Sequence, residues 1–347
     1  MKSHLISNGV KAALTAAFLF GAATPLAKLI LASVSPWLLA GLFYLGSGIG
    51  LALYRKISKA PKVNLPAGER LWLAGAIISG GIVAPVLLMT GLTAMPASDT
   101  SLLLNAEGVF TALLAWFVFK ENFDRRIAVG MLAIVLGAVI LSWPGTIELS
   151  ALWPSMAILG ACLAWAVDNN LTRKVSLNDA SWIASVKGLF SGCTNLALAL
   201  LLGASIPSTA TVAAAMSLGF LAYGVSLALF VVALRHLGTA RTGAYFSIAP
   251  FFGALLALML GEPLTLPLIV AGVLMALGIW LHLSETHEHS HVHEEIEHEH
   301  EHLHDVHHDH VHDFTVLPDA PHRHKHRHSR IEHTHAHFPD SHHQHTH

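Results

Sequence analysis

The chain has 347 residues, 53% of them hydrophobic and 12% charged, with a formal net charge of −2 and a mean hydropathy of +0.56. Soluble domains carry about 25% charged residues, so this composition excludes an ordinary soluble globular protein. The basic residues sit mostly in short loops, which gives no footprint for nucleic acid. Cys162 and Cys193 fall in apolar runs without CxxC spacing and read as small core residues rather than a disulfide or redox pair.

Apolar runs of about twenty residues, enough for a helix to cross a hydrocarbon core of ~30 Å, recur from one end to the other. Ten spans are predicted. The first five are 12–33, 36–54, 71–92, 98–119 and 126–143. The second five are 153–171, 181–203, 211–234, 241–261 and 264–283. The first resembles a secretory leader, with Lys2 and Lys11 before AALTAAFLFGAA, but its apolar run continues past Pro25 to Val34, so it is expected to be a transmembrane helix. Orientation follows from Lys and Arg in the loops. Placing the N-terminus inside puts all fourteen loop residues of that type on the cytoplasmic side: Lys2, Lys11, Arg55, Lys56, Lys59, Lys62, Arg70, Lys120, Arg125, Arg126, Arg173, Lys174, Arg235 and Arg241. Both termini are then cytoplasmic, in a cell (inner) membrane.

The two halves echo each other. TSLLLNAEGVFTALLAWFVFKE (100–121) returns 141 positions later as RTGAYFSIAPFFGALLALMLGE (241–262), each closing on a glutamate. SPWLLAGLFYLGSGIGLAL (35–53) aligns at an offset of 145 with ASWIASVKGLFSGCTNLAL (180–198), matching Trp37 to Trp182. Five spans per half is an odd number, so the second half enters the membrane from the opposite side. Secondary transporters use such inverted repeats to alternate access around a midplane site. The predicted fold class is therefore an all-α integral membrane protein of ten helices. Its domains are a first repeat over 1–143, a second over 144–283, and a histidine-rich tail over 284–347.

These residues carry a resemblance to a family. LFVVALRHLGTARTGAYFSIAPFFGALLALMLGEPLTLPLIVAGVLMALGIWL (229–281), with Pro250 and the closing Glu262, resembles the C-terminal repeat of EamA-type transporters of the drug/metabolite transporter superfamily, and 98–121 carries the same pattern. The resemblance covers roughly 10–283. It implies two inverted five-helix repeats around a central cavity, usually exporting small metabolites, amino acids or drugs. Tyr44, where many members carry arginine, and Glu107, where a neutral residue is common, depart from the family pattern, so substrate class does not transfer with the fold.

Ionisable groups inside a bilayer cost ~2.5–3.5 kcal/mol on insertion scales and normally face the bundle interior. The candidate substrate-binding residues are Glu107, Lys187, Asn105, Asp168, Asn195 and Lys28, with Asn169 and Asn170 beside them. Two lysines against two carboxylates fit buried ion pairs that lock the repeats. They equally fit a site in which Glu107, opposed by Lys187, contacts a polar substrate or carries a coupling proton. Lys28 can also snorkel to water, and Asp168 to Asn170 can mark a helix end. Glu107, whose counterpart is the apolar Ile248, is the strongest candidate. Glu121 and Glu262 are expected to cap the following helix or to gate the cavity mouth. Pro25, Gly80-Gly81 with Pro85, and Pro250 are candidate sites of local unwinding.

Residues 285–347 hold 23 histidines and too little apolar content for a core, so the tail is expected to be disordered. Neutral imidazole is a ligand for Zn, Ni, Co and Cu. The expected metal ligands are His287, His289, His291, His293, His298, His300, His302, His304, His307, His308, His310 and His312. No cofactor is required, and no nucleotide-binding or hydrolytic motif points to an enzyme. The partners are the bilayer and a small-molecule or ion substrate, with oligomeric state open. The sequence favours a secondary exporter of a small solute whose tail senses or buffers a divalent metal. A direct exporter of Zn, Ni or Co fed by the tail, or a non-transporting membrane metal receptor, are the alternatives.

Overall fold

The computed structural model describes residues 2–119, 125–143, 152–175, 178–237, 242, 245–283, 288–293, 296–302, 322–328 and 331–336. These fall into two units, a helical one up to residue 283 and a second in the tail. In the helical unit, α1 spans Lys2–Leu31 and α2 spans Pro36–Ile57. After a 3₁₀ turn at Ala67–Glu69, α3 (Arg70–Ala76) runs through a π-helical segment, Ile77–Val83, into α4 (Ala84–Ala94). Helices α5 (Ala97–Leu103), α6 (Ala106–Phe119) and α7 (Arg125–Ser142) follow. The later part repeats the plan. Helices α8 (Trp153–Arg173) and α9 (Ala180–Leu201) come first. Then α10 (Thr209–Gly219) runs through a second π-segment, Phe220–Val225, into α11 (Ser226–Leu237). Helices α12 (Ala249–Met259) and α13 (Leu266–Leu283) close the unit.

Among the described residues, five stretches are long and apolar enough to cross a membrane: Gly9–Leu31, Pro36–Ile57, Ala67–Ala94, Ala180–Leu201 and Thr209–Ala233. Shorter apolar helices accompany them, among them Ala128–Ser142 and Leu266–Leu281. The outer surface of the unit is apolar: Leu71 is 82% exposed, Leu201 83% and Met259 75%. Burying those side chains in water-excluding lipid is what such a surface requires.

Several sequence expectations are corrected locally. The predicted span 98–119 is two helices, broken at Leu104 and Asn105, where the Asn105 side-chain amide donates to the Leu102 carbonyl at 2.9 Å. The helix α1 continues through Pro25 without interruption. The proline ring removes one hydrogen bond, and the helix runs on past it. Unwinding does occur at Gly80-Gly81, inside the first π-segment.

Helix pairs approach closely where side chains are absent. A Cβ added at Gly188 would lie 2.6 Å from the Gly48 Cα, and one at Gly48 would lie 2.4 Å from the Leu189 nitrogen, so α2 and α9 meet backbone to backbone. At Gly21 the Ala249 carbonyl oxygen would be 2.1 Å away, which seats α1 on the start of α12. Buried Phe43, Leu38, Leu39, Leu92 and Met89 form one apolar cluster, and Leu103, Ile158 and Met275 belong to another.

The tail, expected to be disordered, contains four strands. β1 (Glu288–His293) pairs antiparallel with β4 (Ile331–Ala336), and β2 (Ile296–His302) with β3 (His322–His328). The strict alternation of histidine with another residue has the period of a strand. The β2–β3 register sets Glu297, Glu299 and Glu301 opposite Arg327, Lys325 and Arg323.

A substitution tests the α2–α9 contact. Gly188→Val is expected to cost about 1–3 kcal/mol, the usual range for overpacking, read as a lowered thermal midpoint of detergent-purified protein. Gly68→Ala, where a new Cβ meets nothing within 4 Å, serves as the unaffected control.

Candidate functional site

A π-turn widens the helix by one residue and leaves carbonyls without their usual partners. In the segment Ile77–Val83 these carbonyls are claimed by three other helices. The Gly80 carbonyl accepts from the Tyr44 hydroxyl (2.7 Å) of α2 and from the Trp165 indole (3.0 Å) of α8. The Gly81 carbonyl accepts from the Asn195 amide (2.9 Å) of α9. Only glycine fits there: a Cβ at Gly80 would sit 1.8 Å from an Asp168 carboxylate oxygen, and one at Gly81 would sit 1.8 Å from the Ser191 hydroxyl. Asn195, a candidate for substrate contact, is thereby engaged by the backbone.

Asp168 and Lys187 come together. The Lys187 ammonium donates to both carboxylate oxygens at 2.5 and 2.6 Å and to the Thr172 hydroxyl at 3.3 Å, and Thr172 in turn donates to Asp168 at 2.8 Å. The pair is nearly enclosed, with side-chain exposures of 16% and 7%. Lys187 thus binds Asp168 directly and opposes Glu107 only through its field. Lys187 on α9 turns toward α8, and a carboxylate with two oxygens in line captures it.

Glu107 is left with a neutral partner. Its carboxylate accepts from the Asn169 amide at 2.8 Å, and the same amide reaches the Thr111 hydroxyl at 3.3 Å. Glu107 is half-buried, while Asn169 and Gly108 are exposed, and a Cβ at Gly108 would meet open space. A chain of half-buried rings crosses between the helices. Tyr44 and Tyr223 stack at 5.4 Å, Phe20 stands edge-on to Tyr223 at 5.8 Å, and Phe246 lies 5.4 Å from Phe20. Both tyrosines are within electrostatic range of Glu107. Tyr223, in the second π-segment, and Trp165 carry no distinguishing mark in an apolar sequence. The offset of 145 that links the halves could have found Trp165, because it pairs Trp165 with Phe20.

The remaining candidates lie elsewhere. Asn105 closes the break between α5 and α6 and also contacts the Met275 sulfur at 3.7 Å. Lys28 does not reach out to water. It donates to the carbonyls of Leu92 (2.9 Å) and Met95 at the end of α4, where a cation complements unpaired carbonyls. Glu262 is also corrected: its two oxygens accept from the amides of Ala97 (2.7 Å) and Ser98 (2.8 Å). It thus caps the start of α5, not the helix that follows it in sequence. Glu121 lies outside the described residues.

The opposite end is tied by polar contacts. Asp179 caps α9 through the amides of Ser181 and Trp182 and pairs with Arg55 at 2.7 Å, and Asn178 donates to Glu69 at 2.8 Å. Burial pushes the Asp179 carboxyl up, but hydrogen bonds from Ser181, Arg55 and the Trp182 amide outweigh it and hold the group below the usual carboxylate range.

Among the described residues no three His, Cys, Asp or Glu side chains gather as a metal set. Of the expected tail ligands, His289, His291, His293, His298, His300 and His302 are in strands. His287, His304, His307, His308, His310 and His312 lie outside the described residues.

Comparison with known proteins now adds to this geometry. Residues 7–143 and 152–284 each match the model of the EamA-like transporter family. An uncharacterized transporter of Methanothermobacter thermautotrophicus is 27% identical over 289 residues, covering 77% of this chain and 84% of its own length. A probable amino-acid metabolite efflux pump of Salmonella typhimurium is 26% identical over 212 residues, covering 54% of this chain and 68% of the pump. A crystal structure superposes with a TM-score of 0.60 at 18% identity, covering 78% of this chain and 95% of the other, which establishes likeness of fold.

Two stability measurements test the polar contacts. Lys187→Met strands a buried carboxylate and is expected to cost about 3–5 kcal/mol, most of it recovered when Asp168→Asn is added. Additive losses in the double variant would contradict the pairing. Asp179→Ala removes a cap, a change of about 1 kcal/mol. Because the folded-state carboxyl titrates below its unfolded value, its contribution is complete above the ordinary aspartate pKa of about 3.9 and is lost as pH falls through the lower folded value. The difference in thermal midpoint between wild type and Asp179→Ala should thus be full at pH 7 and shrink in acid.

Proposed function

This chain belongs to the EamA-like transporter family, and on that premise we propose that it is a secondary transporter that exports a small solute by alternating access. Members of this family are transporters, not enzymes, and its relatives bear transporter and efflux-pump names. The proposed arrangement is ten spans in two inverted five-helix repeats, over 1–143 and 144–283, with both termini in the cytoplasm of a cell-membrane protein.

The observation that carries the reading is the recurrence of the same irregularities. Ile77 and Phe220, which open the two π-segments, are 143 positions apart. Leu104 and Ser247, where the two broken helices turn, are also 143 apart. Phe20 contacts the second π-segment at Tyr223, while Trp165, its counterpart at 145, contacts the first at Gly80. The family model likewise matches twice along the chain. Irregular backbone recurring in both repeats is what a transporter needs around a central site, because regular helices there would leave no polar groups to bind or to move.

Glu107 breaks this symmetry. An offset of 141 pairs it with Ile248 and an offset of 143 with Pro250, neither ionisable. It is the residue proposed to bind the solute and to exchange it for a proton. The Asp168–Lys187 pair and the Glu262 cap are proposed as positioning contacts that hold the repeats in one of their two arrangements. The histidine tail is proposed to bind a divalent transition metal as sensor or buffer. Direct metal export finds less support, since both oxygens of Asp168 are occupied by Lys187.

Reconstituted proteoliposomes with an imposed proton gradient test this. Wild-type protein should move an organic solute in metal-free buffer, and Glu107→Gln should reduce that flux at least tenfold. Removing 284–347 should abolish zinc or nickel binding and leave solute flux intact. Zinc flux that is lost in Glu107→Gln would favour the metal-exporting alternative.

A further inference from the structure

We infer that the Glu107 site takes an organic cation, an amine on an apolar or aromatic body, in preference to a zwitterionic amino acid or an anion. The inference rests on the transporter reading and names its substrate class.

The first ground is the disposition of charge. An ammonium has three hydrogen-bond donors. Those of Lys187 are matched by the two Asp168 oxygens and the Thr172 hydroxyl. Lys28 is directed at two backbone carbonyls, and Glu262 at two backbone amides. Neither lysine is offered to a solute. Glu107, in contrast, accepts from the amide of Asn169, and the Lys187 ammonium that acts on it from a distance is hydrogen-bonded to Asp168, so two carboxylates share one ammonium and one negative charge is left over. A cationic solute supplies the missing charge. An anionic one is repelled, and of the described lysines within the helices neither Lys187 nor Lys28 is turned to the carboxylate of an amino acid.

The second ground is the wall beside that carboxylate. Tyr44, Tyr223, Phe20 and Phe246 come from α2, the second π-segment, α1 and the turn before α12, and all are half-buried, so ring surface stays accessible. Aromatic faces carry negative potential and attract ammonium groups, while their area receives an apolar body. The wall is linked to Glu107 through intervening residues. The Tyr44 hydroxyl holds the Gly80 carbonyl, Gly80 rests against Asp168, and the next residue, Asn169, holds Glu107. A carboxylate with the faces of Tyr44 and Tyr223 within its electrostatic range selects for positive charge and for hydrophobic bulk together. Neither feature serves an inorganic divalent cation, which needs several oxygen or nitrogen ligands.

The test uses the purified full-length protein and three probes that share a phenyl ring on a short carbon chain and differ in charge: phenethylamine, phenylalanine and phenylacetate. In calorimetric titration phenethylamine should bind at least tenfold more tightly than either of the others. Glu107→Gln should weaken it at least tenfold. Tyr223→Ala should weaken it several-fold while Tyr223→Phe retains it, a comparison that stands even if Glu107→Gln does not fold. The assignment is overturned if wild-type protein fails to bind phenethylamine, if phenylalanine or phenylacetate binds as well, or if Glu107→Gln binds phenethylamine like wild type. Proteoliposome flux separates the two levels. Transport of phenylalanine in preference to the amine would overturn the cation assignment and uphold the transporter, whereas absence of flux for every solute would overturn both.

Discussion

A backbone carbonyl or amide released inside a bilayer has no water to turn to, and an unanswered one costs several kcal/mol. Several polar side chains in this protein's interior respond to that constraint. Tyr44, Trp165 and Asn195 answer the carbonyls of the first π-segment. Asn105 answers the break between α5 and α6. Lys28 covers the last carbonyls of α4, and Glu262 covers the first amides of α5. The irregular backbone and the polar residues form one system in the first half: the π-segment and the α5–α6 break each come with a side chain that makes them tolerable.

That accounting isolates Glu107. The Asp168–Lys187 pair neutralises itself, with Thr172 completing its hydrogen bonds. Glu107 answers no released backbone group among the described residues and meets an amide, not a cation. A carboxylate retained in an apolar helix without a structural debt to discharge is where chemistry particular to this chain is concentrated. The tyrosine stack lies within electrostatic range of Glu107 and joins the two halves, because Tyr44 belongs to the first and Tyr223 to the second. A motion of one half against the other would therefore alter the site's walls, which is how a binding event is coupled to a change of access.

Much of the helical plan is legible in the sequence, because twenty apolar residues in a row have few other uses and because Lys and Arg mark the loops. Glu107 is legible for the same reason: it is an ionisable residue within an apolar run. What could not be read is which groups meet. Asp168 and Lys187 lie on different helices, and whether Lys187 faces Asp168 or Glu107 depends on helix rotation, which no spacing rule fixes. Asn195 resembles a substrate ligand in the sequence, and only the π-turn across from it shows that its amide is claimed by the Gly81 carbonyl. The first π-segment has a sign, Gly80-Gly81. The second, Phe220–Val225, has only Gly224, and its place emerges from the repeat. The tail's strands were hidden by composition, since low apolar content suggests disorder while the His-x-His alternation has a strand's period.

The central claim is that Glu107, and not Asp168, is available to a ligand and to a proton. Labelling with dicyclohexylcarbodiimide, which modifies protonated carboxyl groups in apolar surroundings, tests it directly when the sites are mapped by peptide mass spectrometry. The account predicts modification at Glu107, protection of Glu107 by phenethylamine, and no modification at Asp168 while Lys187 is present. Labelling of Asp168 in place of Glu107, or labelling of Glu107 that is indifferent to the amine, would contradict it.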